Sequence, residues 1–207
     1  MIDRFGINPE KISVTHLASN LKPSSVVAKL PFGRPYLLYV GGRVGYKNFH
    51  MLLESYAASL KVRSEFDLVC FGSVWTKVEF EHIAQLGLTE CVRWVGGEDS
   101  KLVSFYQGAR LLVYPSIYEG FGLPPLEAMQ LGCPVLCTAN SSIPEVVGDA
   151  GIYFEARDID SLRYALEDLV FDDGRLVQLR QAGRERADSF SWSRCAEQTL
   201  SVYKTFS

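Results

Sequence analysis

Short apolar runs alternate along the chain with longer segments in which apolar residues recur every three or four positions. The runs predict strands that are buried on both faces, and the longer segments predict amphipathic helices. We predict strands at 36–41, 66–71, 91–95, 109–114, 134–138 and 151–154. We predict helices at 48–60, 74–86, 100–107, 124–131, 144–147, 159–170, 175–188 and 192–205. The pattern is weaker before residue 35, where 12–17 is one further candidate strand and 21–34 has the prolines of a loop.

This regular alternation of strands and helices predicts an α/β architecture. Right-handed crossovers would give a Rossmann-like three-layer domain, with a parallel sheet and helices on both faces. Ligands of such domains bind beyond the carboxyl ends of the strands. Glycine-rich or polar loops follow five of the predicted strands, at Gly41-Gly42, Gly72-Ser73, Gly96-Gly97, 119–122 and 140–142. We therefore expect a ligand cleft along that edge of the sheet.

Composition and charge narrow the class of protein. The chain has 207 residues, 47% hydrophobic and 22% charged, which is ordinary for a soluble protein of one or two domains. Its net charge of -3 gives no reason to expect a nucleic-acid partner. No apolar run approaches the roughly 20 residues that span a bilayer, and the N-terminus has no signal-peptide pattern, so we expect a cytoplasmic protein.

The cysteines and histidines give no sign of a metal site. Most of the five cysteines lie in apolar strand-like runs, which is typical of reduced core residues. Cys133 and Cys137 do not have the spacing of a zinc site, and His16, His50 and His82 are scattered. We expect each histidine to be structural or exposed, and we expect neither a metal nor a cofactor.

The segment 114–129 carries the strongest chemical signal, a glycine-rich turn between a predicted strand and a predicted helix. The first N–H groups of a helix lack intrahelical partners and, together with the helix dipole, attract an anion. Two prolines follow the turn and have no N–H. The expected free hydrogen-bond donors are therefore Phe121, Gly122 and Leu123, followed by Leu126. A diphosphate would fit on these amides, and the two glutamates that flank the turn would accept hydrogen bonds from hydroxyl groups.

Three motifs together carry a family resemblance. They are YVGGRVGYKN at 39–48, the glutamates Glu119 and Glu127 with seven residues between them, and SSIPEVVGDAG at 141–151. DIDSLRYAL at 158–166 and FSW at 190–192 are similar too, so the likeness runs from about residue 9 to residue 205. The chain resembles the donor-binding C-terminal domain of the retaining glycosyltransferases of family 4, which have the GT-B fold.

The resemblance implies a domain organisation. Members of this family have two domains of similar size with the cleft between them, so this chain would be one half of a GT-B fold. Residues 1–30 would come from the missing acceptor-binding domain, and 31–190 would form the donor-binding domain. The helix at 191–207 would pack toward the missing domain. We accordingly do not expect catalysis by this chain alone.

The resemblance also implies roles for the candidate site residues. Arg43 and Lys47 would neutralise the diphosphate as it departs, Glu119 would contact hydroxyl groups of the donor sugar, and Glu127 would bind the ribose. The loop residues expected to approach the phosphates closely are Gly41, Gly42, Gly72 and Ser73.

Each role has a simpler alternative. Arg43 and Lys47 could be solvated surface cations, and the glycines could form ordinary turns. Glu127 could merely complement the helix dipole, which is worth about 0.3–1 kcal/mol. We expect Trp94 in the core, and Glu145 either pairs within its short helix or belongs to the site.

These observations support one functional hypothesis and leave others open. The chain would serve transfer of a hexose, with retention, from a nucleotide diphosphate sugar to a glycan or lipid-linked acceptor, and GDP-mannose is the first guess for the donor. No side chain stands out as a covalent nucleophile, and no Asp-x-Asp motif serves the phosphates. Peripheral membrane association would come through the missing domain. One alternative is a nucleotide-sugar-binding module without turnover. An epimerase is disfavoured by the motifs at 39–48 and 141–151, and a phosphorylase would need a cofactor-lysine context that the sequence does not contain.

Overall fold

Six parallel strands form a sheet at the centre of the residues that the computed structural model describes, 6–24 and 33–205. The strands are β1 Tyr36–Val40, β2 Asp67–Phe71, β3 Val92–Val95, β4 Leu111–Tyr114, β5 Val135–Thr138 and β6 Gly151–Phe154. Their order is β3-β2-β1-β4-β5-β6. In the middle of the sheet, Leu38 of β1 lies opposite Val69 of β2 and Leu112 of β4.

Helices connect the strands and cover both faces of the sheet. They are α1 Phe49–Ala58, α2 Leu60–Glu65, α3 Lys77–Gln85, α4 Asp99–Gly108, α5 Leu123–Gln130, α6 Ile143–Val147, α7 Ile159–Leu169, α8 Asp173–Ala187 and α9 Trp192–Lys204. The predicted α/β fold of Rossmann-like type is confirmed, and every predicted strand from residue 36 onward is present within two residues of its expected bounds.

Alternate residues of each strand point to opposite faces, and each face carries its own hydrophobic cluster. On one side, Leu38 belongs to a cluster that includes Phe105 of α4. On the other side, Leu37 belongs to a cluster with Leu52 of α1 and Leu166 of α7. Full burial of a side chain of this size stabilises the fold by about 1.5–3 kcal/mol. The sheet is therefore a rigid platform for the loops at its edge.

The strand order reverses between β1 and β4. The chain leaves β1 toward β2 on one side and leaves β4 toward β5 on the other. Because the loops diverge, a crevice opens at the carboxyl edge of the sheet, which is where ligands bind in folds of this kind. The loops 41–48 and 115–122 flank that point, in agreement with the expected position of the cleft.

The predicted helix at 48–60 is in fact two helices. Ser59 has an extended conformation that ends α1, and its side chain accepts a hydrogen bond from the Val62 N–H, which starts α2. Leu60, which was expected on the buried face, is 67% exposed as a result. An N-capping serine inside an otherwise periodic segment is the physical reason for the break.

The expected strand at 12–17 is absent, so that prediction is wrong. This part of the described chain has one short 3-10 turn, Pro9–Lys11, and otherwise no regular structure. It pairs with none of the six strands and is held instead by side chains, among which Ala18 and Leu21 are buried.

The remaining features bear on the site only indirectly. Four of the cysteines are buried and all five are free, and burial raises the pKa of the Cys133 thiol to about 12, so it stays protonated.

Helix α9 has no buried residue. None of the helices within the described ranges is long and apolar enough to cross a membrane. The division of the chain near residues 30 and 190 stays a prediction.

Candidate functional site

Lys47 and Glu119 form an ion pair across the crevice. The Lys47 Nζ atom lies 2.7 Å from Glu119 Oε1, and the two side chains are only 17% and 11% exposed. Lys47 Nζ also lies 5.8 Å from the centroid of the Tyr114 ring. Burial, followed by the nearby Glu119 carboxylate, raises the pKa of the Tyr114 hydroxyl far above its ordinary value. The structure thus brings together a predicted cation and a predicted carboxylate from different loops.

One main-chain hydrogen bond and the side chain of Asn48 hold these loops together. The Ile117 N–H donates to the Tyr46 carbonyl at 2.8 Å. Asn48, in the left-handed conformation, donates through Nδ2 to the carbonyls of Pro115 at 3.2 Å and Ala156 at 2.6 Å. Asparagine tolerates this conformation better than most residues. Asn48 therefore joins the loops after β1, β4 and β6, a role that its place in the sequence motif did not reveal.

The turn that follows β4 is held by hydroxyl groups from the end of β5. Ser141 Oγ donates to the Glu119 carbonyl at 2.7 Å. Ser142 Oγ lies 3.0 Å from the same carbonyl and 2.9 Å from the Phe121 carbonyl. The serines thus occupy carbonyl oxygens of the turn. Its amide groups at Phe121, Gly122 and Leu123 have no hydrogen-bond acceptor within the described residues.

Helix α5 begins directly behind these amides. Gly122, at its N-cap, has φ 106°, a conformation that favours glycine, and no side chain caps the helix. The Leu126 N–H donates to the Gly122 carbonyl at 3.3 Å. The expectation that Leu126 is a further free donor is therefore wrong, because the helix has already begun there. The three remaining amides and the dipole of an eight-residue helix form a favourable place for an anion.

Glu127 lies farther along α5, and its carboxylate has one hydrogen-bond partner in the described part of the chain. The Tyr106 hydroxyl donates to Glu127 Oε2 at 2.9 Å. Burial raises the pKa of the Glu127 carboxyl; the Tyr106 hydrogen bond opposes this effect, and the charge of Asp99 adds to it. The other carboxylate oxygen remains able to accept hydrogen bonds from a ligand.

Arg43 lies in a neighbouring part of the cleft, and its side chain is only 4% exposed. Nε lies 2.6 Å from Glu79 Oε1, and Nη2 donates to the carbonyls of Ser73 at 2.8 Å and Val74 at 2.9 Å. The guanidinium carbon also lies 4.6 Å from the centroid of the Trp75 ring. Two of the three guanidinium nitrogens are thus bound to the protein. Nη1 is buried without a hydrogen-bond partner in the described residues.

Glu79, the partner of Arg43, was missed by the sequence analysis. Its Oε2 accepts hydrogen bonds from the Thr76 N–H at 2.7 Å and the Thr76 hydroxyl at 2.8 Å, which forms a capping box at α3. Burial alone would raise the pKa of the Glu79 carboxyl, but the hydrogen bonds from Arg43 and Thr76 lower it below its ordinary value. The pattern Thr-x-x-Glu at 76–79 is the signal that could have predicted the helix start; its pairing with Arg43 was not visible.

The loop residues that were expected to approach the phosphates closely have different surroundings. A Cβ at Gly72 would lie 2.7 Å from the Gly41 carbonyl oxygen, so the loops after β1 and β2 approach too closely for any side chain there. A Cβ at Gly42 would meet nothing within 4 Å. Ser73 is exposed and offers its carbonyl to Arg43. Gly72 is therefore required by the packing of the loops, whatever else it contacts.

Trp94 was expected in the core, and that expectation is wrong. It is 43% exposed, and its indole N–H donates to the Gly72 carbonyl at 2.9 Å. β3 is the edge strand of the sheet, so alternate residues there reach solvent. Glu145, at the start of α6, pairs with His16. The described residues contain no group of three or more His, Cys, Asp or Glu side chains that could hold a metal ion.

A doubly wound parallel sheet with these loops at its point of reversal defines a Rossmann-like domain of the GT-B type. The sequence profile described as "Glycosyl transferases group 1" matches residues 25–186. The chain therefore belongs to the glycosyl transferase group 1 family.

Known relatives agree with this assignment. The chain is 35% identical over 218 residues to the O-antigen chain mannosyltransferase B of Escherichia coli, covering 99% of this chain and 57% of that protein. It superposes with a TM-score of 0.68 on the C-terminal domain of a glycosyl transferase group 1 protein (LpcC) of Francisella tularensis, at 25% identity, covering 82% of this chain and 94% of that one. Sucrose-phosphate synthase of Thermosynechococcus elongatus gives a TM-score of 0.77 at 24% identity, covering 92% of this chain and 51% of that one. The chain thus spans little more than half the length of the curated mannosyltransferase.

Proposed function

We propose that this chain is the nucleotide-sugar-binding half of a retaining glycosyltransferase of family 4. One observation carries the proposal: three main-chain amides without acceptors lie in the turn whose first residue, Glu119, pairs with Lys47. Hydrogen-bond donors and a cation at the reversal point of the sheet are suited to a diphosphate.

The diphosphate would bind on the amides of Phe121, Gly122 and Leu123, with Lys47 as the nearest cation. Before binding, Lys47 is neutralised by Glu119 at 2.7 Å. An anion that draws Lys47 toward itself would free Glu119 to accept a hydrogen bond from a sugar hydroxyl. The ion pair thus holds both groups ready for a ligand that supplies one negative charge and one hydroxyl donor.

Arg43 would act on the same diphosphate from a fixed position. Its Nε and Nη2 are bound by Glu79 and the loop carbonyls, and Nη1 is buried, so Arg43 would act on the diphosphate through its charge rather than by direct contact. Nη1 lies 3.6 Å from where a Cβ would sit at Gly72. Arg43 would therefore hold the loops at Gly41, Gly42, Gly72 and Ser73 in place and add positive charge behind them.

Glu127 would bind the ribose. Its Oε2 is held by Tyr106, and this fixes the orientation of the carboxylate. A carboxylate oxygen of fixed orientation can accept from the hydroxyls of a ribose, which gives nucleotide selectivity as well as affinity.

In the reaction, the bond between the sugar and the diphosphate would break ahead of attack by the acceptor. Negative charge grows on the departing phosphate oxygen, and the amides, together with Lys47 once it is drawn from Glu119, would stabilise that charge. Removing one such donor costs roughly 100- to 1000-fold in rate where it has been measured in other enzymes. Because no side chain in the sequence stands out as a covalent nucleophile, retention would follow from acceptor attack on the face that the diphosphate leaves.

The likeness to the Escherichia coli mannosyltransferase supports a hexose donor such as GDP-mannose and a glycan or lipid-linked acceptor in polysaccharide assembly. The acceptor wall and the membrane contact would come from a further domain, and the reaction would take place in the cytoplasm. Helix α9, with no buried residue, would face that domain.

Calorimetric titration of the chain with UDP, GDP, ADP and their sugars tests the donor site. We expect one nucleotide to bind, and Lys47→Ala to weaken its binding about 10-fold or more, as loss of a charge-assisted hydrogen bond predicts. Lys77→Ala is the matched control, because Lys77 is 88% exposed and pairs with the exposed Glu81 at 3.7 Å. Absence of binding, or equal effects of the two variants, would refute the site.

A transferase assay separates the two functions that the fold permits. We expect this chain to bind the nucleotide sugar without transferring the sugar. We expect transfer once an acceptor domain is added. Because the chain matches 57% of the mannosyltransferase, a binding module without turnover is the alternative that this assay tests. Transfer by the chain alone would overturn the need for a second domain.

A further inference from the structure

His16 reaches from the N-terminal segment to the turn that carries the free amides. Its Nε2 lies 2.7 Å from Glu145 Oε1. Its ring centroid lies 6.2 Å from that of Phe121 and 5.6 Å from that of Phe190, which it meets at 89°. This histidine is 129 residues from Glu145 in the chain, and its side chain is 34% exposed.

The three rings form a closed cluster. Phe121 and Phe190 also contact each other, with centroids 5.9 Å apart at 80°. Aromatic contacts of this geometry are attractive, so the Phe121 ring is confined between two neighbours. The charged groups around the cluster are Glu145 and Arg186, whose guanidinium lies 5.1 Å from the Phe190 ring and donates to the Glu145 carbonyl.

Confinement of Phe121 matters because its neighbours are flexible. Gly120 and Gly122 flank it, and glycine loses more conformational freedom on ordering than any other residue. The Ser142 hydroxyl contacts the carbonyls of Glu119 and Phe121. The Phe121 N–H lies instead in the peptide plane of the Gly120 carbonyl, so its orientation is open to control by the Phe121 side chain.

We propose that His16 is a positioning residue for the diphosphate-binding turn. It holds Phe121 through ring contact and is itself oriented by Glu145, so the free amides are aligned before the nucleotide arrives. This inference rests on the proposed function, because it assigns the amides of 121–123 to a diphosphate. The competing role is purely structural: His16 would only fasten the N-terminal segment to the domain.

The test compares His16→Ala and His16→Gln with Leu21→Ala. Leu21 is buried at 8% exposure and fastens the same segment to the core. The readouts are the melting temperature and the calorimetric Kd for whichever of UDP, GDP and ADP the wild-type chain binds most tightly. We expect His16→Ala to raise Kd about 2- to 10-fold, the loss that ring contacts of this kind predict. Glutamine can still donate to Glu145 but has no ring to place against Phe121, so His16→Gln should raise Kd about as much as His16→Ala.

Leu21→Ala should lower the melting temperature and leave Kd unchanged. An unchanged Kd in His16→Ala, while Lys47→Ala weakens binding, would overturn this inference and leave the proposed function standing. Equal Kd changes in His16→Ala and Leu21→Ala would assign His16 the purely structural role. Failure of the wild-type chain to bind any of the three nucleotides would overturn both the proposed function and the inference that rests on it.

Discussion

The Lys47 ammonium lies 2.7 Å from the Glu119 carboxylate, although 72 residues separate them in the chain. The two loops that carry them belong to β1 and β4, between which the order of the sheet reverses. Each group neutralises the other in a place that is mostly shielded from water. The pair therefore contributes to the stability of the free protein and, in the proposed function, separates on binding.

Replacing Lys47 by methionine separates these two contributions. Lys47→Met leaves Glu119 mostly buried without its cation and should destabilise the fold by about 1–3 kcal/mol in urea denaturation. The double variant Lys47→Met, Glu119→Gln should recover part of that stability, because no buried charge remains unpaired. Nucleotide affinity should stay low in both. If the two substitutions simply add in stability, the pair is not coupled in the way described.

Glu79 should make acid unfolding steeper. Its carboxyl has a lowered pKa in the folded protein, so it contributes stability above the unfolded pKa of 4.5, and this contribution is lost as pH falls toward the folded pKa. Between about pH 6 and pH 3, wild-type protein should lose more stability than Glu79→Gln, as followed by urea midpoints. Glu81→Gln serves as the control, since Glu81 is exposed and forms a helical pair with Lys77 on the same helix. If the urea midpoints of wild type and Glu79→Gln fall equally with pH, the bond between Glu79 and Arg43 is not strong.

Glu127 should show the opposite sign. Burial raises the pKa of its carboxyl in the folded protein, so its contribution to stability is present below the unfolded pKa and is lost as pH rises through the folded pKa. The stability of Glu127→Gln, measured relative to that of the wild-type protein, should therefore be greater at neutral pH than in acid. Removal of the Tyr106 hydroxyl, in Tyr106→Phe, should raise the pKa of Glu127 further, because that hydrogen bond opposes the effect of burial. Carboxyl titration by NMR in the two Tyr106 forms checks this sign.

The same residue predicts a ribose effect. In the proposed site, Glu127→Gln should lose about 10-fold in affinity for a nucleoside diphosphate but little for its 2′,3′-dideoxy analogue, which has no ribose hydroxyls to bind. A calorimetric comparison of the two ligands measures this. Equal losses for both would place Glu127 away from the ribose.

Gly72 and Gly42 form a matched pair of substitutions. Gly72→Ala would place a Cβ 2.7 Å from the Gly41 carbonyl oxygen, whereas Gly42→Ala meets nothing within 4 Å. We expect Gly72→Ala to destabilise the fold by about 1–3 kcal/mol and Gly42→Ala by much less. Urea denaturation of the two variants is sufficient, and equal stabilities would mean that the loops after β1 and β2 can move apart freely.

The sheet could be predicted from the sequence because its strands are buried on both faces. A run such as 111–114 is apolar throughout, and no tertiary information is needed to recognise it. The turn at 119–122 could also be predicted, because glycines and prolines lie close together there in the sequence. Trp94 could not be placed in the same way, because the sequence does not say which strand lies at the edge.

The features that could not be predicted from the sequence are pairings between residues far apart in the chain. Arg43 was expected to reach a phosphate, and its capture by Glu79 depends on loops 36 residues apart coming together. His16 gave no signal at all, since its partner is 129 residues away and its neighbours in the chain form no regular element. The Lys47–Glu119 pair could be anticipated only as two separate candidates, each at the end of its own strand.

Asn48 limits how this cleft can vary. One side-chain amide binds carbonyls that follow β4 and β6, at 3.2 and 2.6 Å, from a residue that itself follows β1. Inserting or deleting a residue in any of these three connections would pull an oxygen out of reach. The lengths of these three connections are therefore coupled, so a change in the length of one of them would need a compensating change at Asn48.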